Sequence, residues 1–251
     1  MPDKNTLLKQ HQFNAAIARY QGGRGYRRLE LAVSLLVLAG QAALWARSLA
    51  APTGWARGLA AFALAYLLTD FLNGLVHLLM DHHAHYTGWS GPLVAAFHLH
   101  HRTPRYQERP LWAVYFHESG FKLWLPLFLA AALALSWRPG LPSAALRALA
   151  WVGLLSSVAE VSHYLCHNSP SRTARALARA GLLLDKRAHA RHHREDNVSY
   201  AFLNGWSNPL LDLLARLLFR GYKQGTDLHF AAWEPNGVER AGHETASLRG
   251  K

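Results

Sequence analysis

The sequence predicts an all-α, polytopic membrane protein, and three observations carry that prediction. First, of 251 residues 51% are hydrophobic and only 17% charged, yet the net charge is +12, a chain too oily and too basic for an ordinary cytosolic domain. Second, the apolar residues are gathered into four runs, roughly Leu29 to Leu49, Gly58 to Met80, Phe121 to Trp137 and Ser143 to Cys166. Each is close to the ~20 residues that cross a hydrocarbon core. Third, two of those runs carry polar stripes at helical spacing: Asp70, Gly74, His77 and Asp81 in the second, Ser156, Glu160, His163 and His167 in the fourth. Carboxylates and imidazoles are costly in lipid, so each stripe must face another helix or a wet cavity, and such a stripe marks a functional site.

The first run is too long for a signal peptide and no small-residue cleavage pattern closes it, so it reads as an anchor. Four spans place both termini on one side. The two loops opposite carry only Arg47, Arg57, Arg138 and Arg147 of the 27 basic residues. The excess of positive charge on the other side predicts cytoplasmic termini, a cytoplasmic active site and a multi-pass protein of a bacterial inner membrane. Trp45, Trp55, Trp137 and Trp151 bracket the far ends of the spans, either as interfacial aromatics or packed between helices. Most of the basic residues lie beside apolar runs, where anionic headgroups are nearer partners than nucleic acid, and none is expected as a nucleic-acid site.

The chain divides into a polar basic arm over 1–28, a membrane-embedded domain over 29–220 and a polar tail over 221–251. Gly22-Gly23-Arg24-Gly25 follows no strand and reads as a flexible hinge rather than a nucleotide loop. Pro104 and Pro110 stop any long helix between the second and third spans. After the fourth span, Arg172, Arg175 and Arg179 fall on one side of a helix expected to lie on the bilayer surface. A second short interfacial helix begins at Asn208-Pro209, with Asp212 and Arg216 four apart on its polar side.

Histidines dominate the chemistry. Eight of the 16 fall in clusters at chelating spacing: His77, two from His98, His100 and His101, His163 with His167, and His189 with His192 and His193. Two histidines four apart on a helix present their rings to one ion, while the His189/His192 pair, three apart, leaves His193 to turn toward a second. The topology brings all four clusters to one side of the membrane. His82, His83, His85 and His117 read equally as surface residues and as ligands or ligand supports; His11, His229 and His243 read as surface residues. The single Cys166 excludes a disulfide framework, a four-thiolate zinc site and a thiolate-held iron–sulfur cluster.

Imidazole accommodates zinc, copper and iron, but one zinc needs about four ligands and this patch offers more, so two ions are implied. A histidine-rich, thiolate-free site at a lipid surface best suits non-haem di-iron that activates O₂ to cut an unactivated C–H bond. That chemistry needs two external electrons, and no flavin or nicotinamide fingerprint is present, so a separate electron carrier must dock on the basic face.

Asp70-x-x-x-Gly74-x-x-His77-x-x-x-Asp81, Phe97-x-x-His100-His101-x-x-Pro104, His163-x-x-x-His167 and His189-x-x-His192-His193 together resemble the membrane lipid desaturases that include plasmanylethanolamine desaturase, the CarF protein and the plant chloroplast desaturase of phosphatidylglycerol acyl chains. Tyr200, Gly205-Trp206, Asn208 and Asp212 resemble the segment that follows the last histidine box, and the likeness spans about Leu59 to Phe219. The resemblance implies two iron ions held by His77, His100, His101, His163, His167, His189, His192 and His193, with Asp81 as a catalytic carboxylate that bridges or orients. His98, Asp81 and His117 are additional candidate ligands or supports, and Arg172, Arg175 and Arg179 candidates for a lipid phosphate. It further implies a phospholipid substrate, O₂ as co-substrate and an electron donor of cytochrome b5 or ferredoxin type. The expected product is a plasmalogen vinyl ether made from a 1-O-alkyl phospholipid. The alternatives are an acyl-lipid desaturase, a hydroxylase with the same site, and a zinc lipid hydrolase. A metal permease is disfavoured because the far ends of the spans carry no histidine.

Overall fold

The computed structural model describes residues 4–102 and 108–221. Among these residues every regular element is helical. In chain order they are α1 (Lys4–Gly22), α2 (Arg24–Ala50), α3 (Trp55–Asp81), α4 (Gly91–Arg102), α5 (Leu111–Glu118), a 3-10 turn (Ser119–Phe121), α6 (Trp124–Leu135), α7 (Ser143–Asn168), α8 (Arg172–Arg179), α9 (Lys186–His192) and α10 (Asn208–Leu218). The motif-ending Pro104 and the tail beyond Gly221 lie outside the described residues.

Helices α2, α3 and α7, of 27, 27 and 26 residues, are long and apolar enough to cross a membrane. Their outward faces are leucine-rich: Leu35, Leu36 and Leu38 on α2 and Leu59, Leu64, Leu67 and Leu68 on α3 are all exposed. The buried face of α3 is instead small and polar, with Ala61, Ala65, Thr69, Asp70, Asn73, Gly74, His77 and Asp81. In water this arrangement would waste the hydrophobic effect. In lipid it is favourable, because association there rests on close packing and polar pairing between helices.

The third predicted span is broken. The chain reaches α6 through α5 and the 3-10 turn, and the two halves meet at 89°. Pro126, in the first turn of α6, cannot donate to the carbonyl four residues earlier and its ring crowds that carbonyl, so the helix cannot run back through Lys122. Gly120 is pressed against α2, where a Cβ would lie 2.8 Å from the Glu30 carbonyl oxygen. The bend turns Lys122 into the bundle, where its Nζ donates to Asn73 Oδ1 and the Ser156 carbonyl and pairs with Glu160 at 3.1 Å. With 12 residues, α6 is about 18 Å long. Asn73, its neighbour at the bend, stands eight residues before the end of α3. Counted as one bent pair, Leu111–Phe121 with α6 is a fourth candidate span beside the three straight ones.

Helices α3 and α7 pack side by side through Ala61, Ala65, Ala148, Val152 and Leu155, run in the same direction and end together at His77/Asp81 and His163/His167. At the opposite, far end, Arg47 donates to the Ser136 carbonyl at 3.0 Å and Arg147 to the Ser48 carbonyl at 2.9 Å. Of the four bracketing tryptophans there, Trp55 and Trp137 are exposed, while Trp45 and Trp151 stack edge to face with centroids 4.7 Å apart.

Residues 4–22, expected as a polar arm, form a helix whose Phe13, Ala16 and Ile17 are buried against Tyr86, Val94 and Ala95 beside α4. The expected hinge is instead a tight corner: Gly23 alone separates α1 from α2, and a Cβ there would meet the Arg19 carbonyl oxygen at 2.6 Å. Of the three short helices after α7, α8 and α10 form where expected. α8 has no buried residue, and α10 sets Leu211 and Ala215 against Leu78 and Tyr200 while exposing Leu210, Leu213, Leu217 and Leu218.

Candidate metal centre

Two groups of potential ligands converge where α3, α4, α7 and α9 meet. One contains His100, His163, His167, His189 and His193; the other contains His77, Asp81, His101 and His192. Within each group the donor atoms lie within 4.8 Å of one another. The groups adjoin, with ring centroids 5.1 Å apart for His101 and His193 and 5.5 Å for His189 and His192.

Local geometry explains the sorting. His163/His167 and His77/Asp81 are pairs four residues apart on α7 and α3, so each points to one spot. Consecutive helical residues diverge by about 100°, and the two neighbouring pairs are each divided between the groups, His100 from His101 and His192 from His193. On α9 the expected partition is corrected. His189 pairs with His193, four residues on, and His192 is the residue that turns to the second group, because α9 continues through His192 with His193 as its cap.

The five-histidine group has the spacing of a ligand shell. The Nε2 of His163 lies 2.8 Å from that of His189 and 3.3 Å from that of His167, and the His189 and His193 Nε2 atoms are 3.0 Å apart. With metal–nitrogen bonds of about 2.1 Å, ligand nitrogens at right angles stand about 3.0 Å apart and at tetrahedral angles about 3.4 Å. Hydrogen bonds do not account for this set. A ring nitrogen carries one proton or one lone pair, whereas the Nε2 of His163 and of His189 each face two others. Burial first, and then the neighbouring imidazoles, hold His100 and His189 well below the ordinary histidine pKa of 6.5. Both rings are therefore neutral and offer lone pairs.

The second group is organised around a carboxylate. Asp81 is fully buried and faces the Nε2 atoms of His101 at 3.0 Å, His192 at 3.3 Å and His77 at 3.5 Å. The Nδ1 of His77 donates to the Tyr200 carbonyl at 2.9 Å and that of His192 to the Val198 carbonyl at 3.1 Å. A carbonyl only accepts, so each ring carries a proton on Nδ1 and presents Nε2 to the carboxylate. Backbone carbonyls of this kind orient metal-binding histidines, and the convergence of three Nε2 atoms on one carboxylate suits a shared cation. The donor set therefore fits two ions bound by imidazole and carboxylate.

The supporting loop is built for the purpose. Asn197 and Ser199 adopt positive φ angles of 56° and 60°, held by Asn197 Nδ2 donating to the Phe219 carbonyl and the Ser199 N–H donating to Asp212. The next turn is gathered by Asp70. Its carboxylate accepts from the backbone N–H groups of Leu203, Asn204, Gly205 and Ser207 and from the Ser207 hydroxyl. Glu160 pairs across the bundle with Lys122. A cavity of about 410 Å³ opens beside His77, lined by Val76, Leu79, Leu93, Val94, Phe97 and Trp124, with Asn73, Lys122 and Glu160 on its wall.

The sequence model of the lipid desaturase domain matches residues 66–220, more than half of the chain and all of the groups just described. The chain belongs to the lipid desaturase family. No curated protein and no solved structure matches it. Family membership makes the protein a membrane oxidoreductase of the desaturase type, whose lipid substrate the apolar cavity at His77 suits.

All eight expected histidine ligands and Asp81 fall within the two groups of this desaturase. His98 stands apart: its Nε2 donates to the Met80 carbonyl at 2.8 Å and its Nδ1 accepts from the Tyr86 hydroxyl at 2.9 Å, which ties α4 to the end of α3. His117 is exposed at the end of α5 and belongs to neither group. Arg172, Arg175 and Arg179 are exposed on α8. Sequence reasoning overlooked the Tyr200 and Val198 carbonyls, which no side-chain pattern announces, and Lys122, whose place in an apolar run next to Pro126 was a readable signal.

Proposed function

We propose that this desaturase holds two iron ions, one in each ligand group, and converts a 1-O-alkyl ether phospholipid, plasmanylethanolamine, into the vinyl ether plasmalogen. The observation that carries the reading is the pairing of two adjoining nitrogen- and oxygen-donor groups with an apolar cavity at one of their ligands, His77. Bound iron supplies O₂ activation and the oxidising power to remove hydrogen from an unactivated carbon. The chain's own residues do the rest. Along α3 the cavity lining extends from Asn73 to Met80, about 10 Å, which accommodates a length of alkyl chain and keeps water from the carbon beside His77. Asn73, Lys122 and Glu160 give the inner wall polar groups near the metal residues, which suits a reacting carbon next to an ether oxygen better than one in the middle of an acyl chain.

Removing two hydrogens from the substrate and reducing O₂ to two waters requires two further electrons and two protons, so the enzyme draws on an external electron carrier of cytochrome b5 or ferredoxin type. Because the far-end loops carry only four arginines, the metal centre and both termini face the cytoplasm. Lipid analysis of cells with and without the chain tests the reading. Acid-labile vinyl ethers appear only with the intact chain. His163→Ala and His192→Ala each abolish product while the protein stays in the membrane, and continued vinyl ether formation by both variants overturns the assignment.

A further inference from the structure

A second, strongly basic groove lies on the other side of α7. It has a volume of about 590 Å³ and is walled by Ser162 and Cys166 of α7, Arg175 and Arg179 of α8, and Lys186 and Arg187 at the start of α9. All four cations are exposed, and none has an acidic partner within 4.0 Å among the described residues. Asp185, the single acid on the wall, spends its carboxylate on the Arg187 and Ala188 N–H groups as the cap of α9. Along α7, which turns about 100° per residue, Ser162, Leu165 and Cys166 point about 140–240° away from Glu160, and Glu160 lines the apolar cavity. Cavity and groove thus open on opposite faces of one helix. The groove is therefore set apart from the wall that lines the alkyl cavity.

The groove is instead next to the five-histidine group. Its α7 wall, Ser162 and Cys166, brackets His163, and its α9 wall, Lys186 and Arg187, immediately precedes His189. That group is the accessible one: His100, His167 and His193 are partly exposed, whereas all four members of the Asp81 group are buried. We infer that the α7–α8–α9 groove is the docking surface for an acidic one-electron carrier protein, with Arg175, Arg179, Lys186 and Arg187 as its contact residues. The inference rests on the proposed oxidation, whose balance is R–CH₂–CH₂–R′ + O₂ + 2e⁻ + 2H⁺ → R–CH=CH–R′ + 2H₂O. The carrier delivers the two electrons one at a time and is itself oxidised. Exposed cations opposite an acidic partner steer encounter and set its salt dependence more than they add affinity in a dry interface.

The test uses the full-length protein in lipid nanodiscs, a reduced plant-type [2Fe–2S] ferredoxin as probe, and the quadruple variant Arg175→Glu, Arg179→Glu, Lys186→Glu, Arg187→Glu. Arg57→Glu with Arg138→Glu, at the far end, serves as the control. Ferredoxin binding at low salt is expected to weaken at least tenfold in the quadruple variant and to be unchanged in the control. Turnover driven by ferredoxin falls in parallel, whereas turnover driven by a small chemical reductant is kept. Unchanged ferredoxin binding by the quadruple variant overturns the inference. So does unchanged binding with turnover lost under both reductants, which would assign the groove to the lipid. Absence of turnover in the wild type under either reductant strikes the proposed reaction and leaves the binding comparison to decide the groove.

Discussion

Five hydrogen bonds converge on one buried carboxylate, Asp70, and tie the 203–207 turn to α3. Bonds to a charged acceptor are worth about 1.5–3 kcal/mol each, and a buried donor that loses its acceptor costs a similar amount. Asp70→Asn keeps the shape but replaces one acceptor oxygen with an N–H₂ that confronts donors. It is expected to cost about 3 kcal/mol, seen as a lower melting temperature of the purified protein, with reduced metal content because the same loop presents the Tyr200 carbonyl to His77. His98 supplies a second prediction. Burial depresses its pKa from 6.5 to about 3, so the stability it contributes is complete above pH 6.5 and is lost progressively as pH falls toward 3. Between pH 7 and 5 that amounts to about 2 kcal/mol, and the melting temperature of His98→Gln should fall less steeply over this range than that of the wild type. Spacing singled out the clustered histidines but not how they sort into the two groups. The stripe Asp70, Gly74, His77, Asp81 marks one face of α3, yet the groups that meet Asp70 are backbone donors more than 130 residues away, in a segment with no periodicity to read.

At the level of the helices, hydropathy located the three unbroken helices long and apolar enough to cross a membrane, because lipid rewards a continuous apolar surface. It could not see the bend at the remaining apolar run, where the average hides Lys122 and Pro126. A polar cluster inside the bundle makes the bend tolerable, since Lys122 finds Asn73, the Ser156 carbonyl and Glu160 on α3 and α7. Close approach between elements is equally local. Gly74 lies where α3 meets the loop before α10, and a Cβ there would stand 2.4 Å from the Leu211 side chain and 2.9 Å from the Ala201 Cα. The leucine can yield, but the backbone cannot without moving Tyr200. Gly74→Ala gains up to about 1 kcal/mol in helix propensity and loses about 1–3 kcal/mol to overpacking. The net effect is expected to be lower stability and weaker retention of the ion at the Asp81 group, measured by metal analysis after gel filtration. A variant as stable and as metal-rich as the wild type would show that the loop is free to shift.

Across the whole molecule the two ligand groups differ in their access to solvent, and the difference follows from the fold. The end of α3 is covered by α1 and α4 on one side and by the 197–207 loop and α10 on the other, so that Asp81 and His192 are 0% exposed and His77 and His101 no more than 4%. The five-histidine group sits at the open end of α7, where α9 covers His163 and His189 but leaves His100, His167 and His193 partly exposed. A chelator can reach an ion held by the open group through the native state, whereas an ion beside Asp81 is released only when the covering loop or α1 opens. Treatment of the iron-loaded protein with a water-soluble chelator should therefore proceed in two phases of equal amplitude, one ion each. His163→Ala should delete the fast phase while preserving the slow one, and His192→Ala should accelerate or abolish the slow phase. Release of both ions in a single phase would mean that the two groups share one barrier to solvent, and that the burial of Asp81 does not persist in solution.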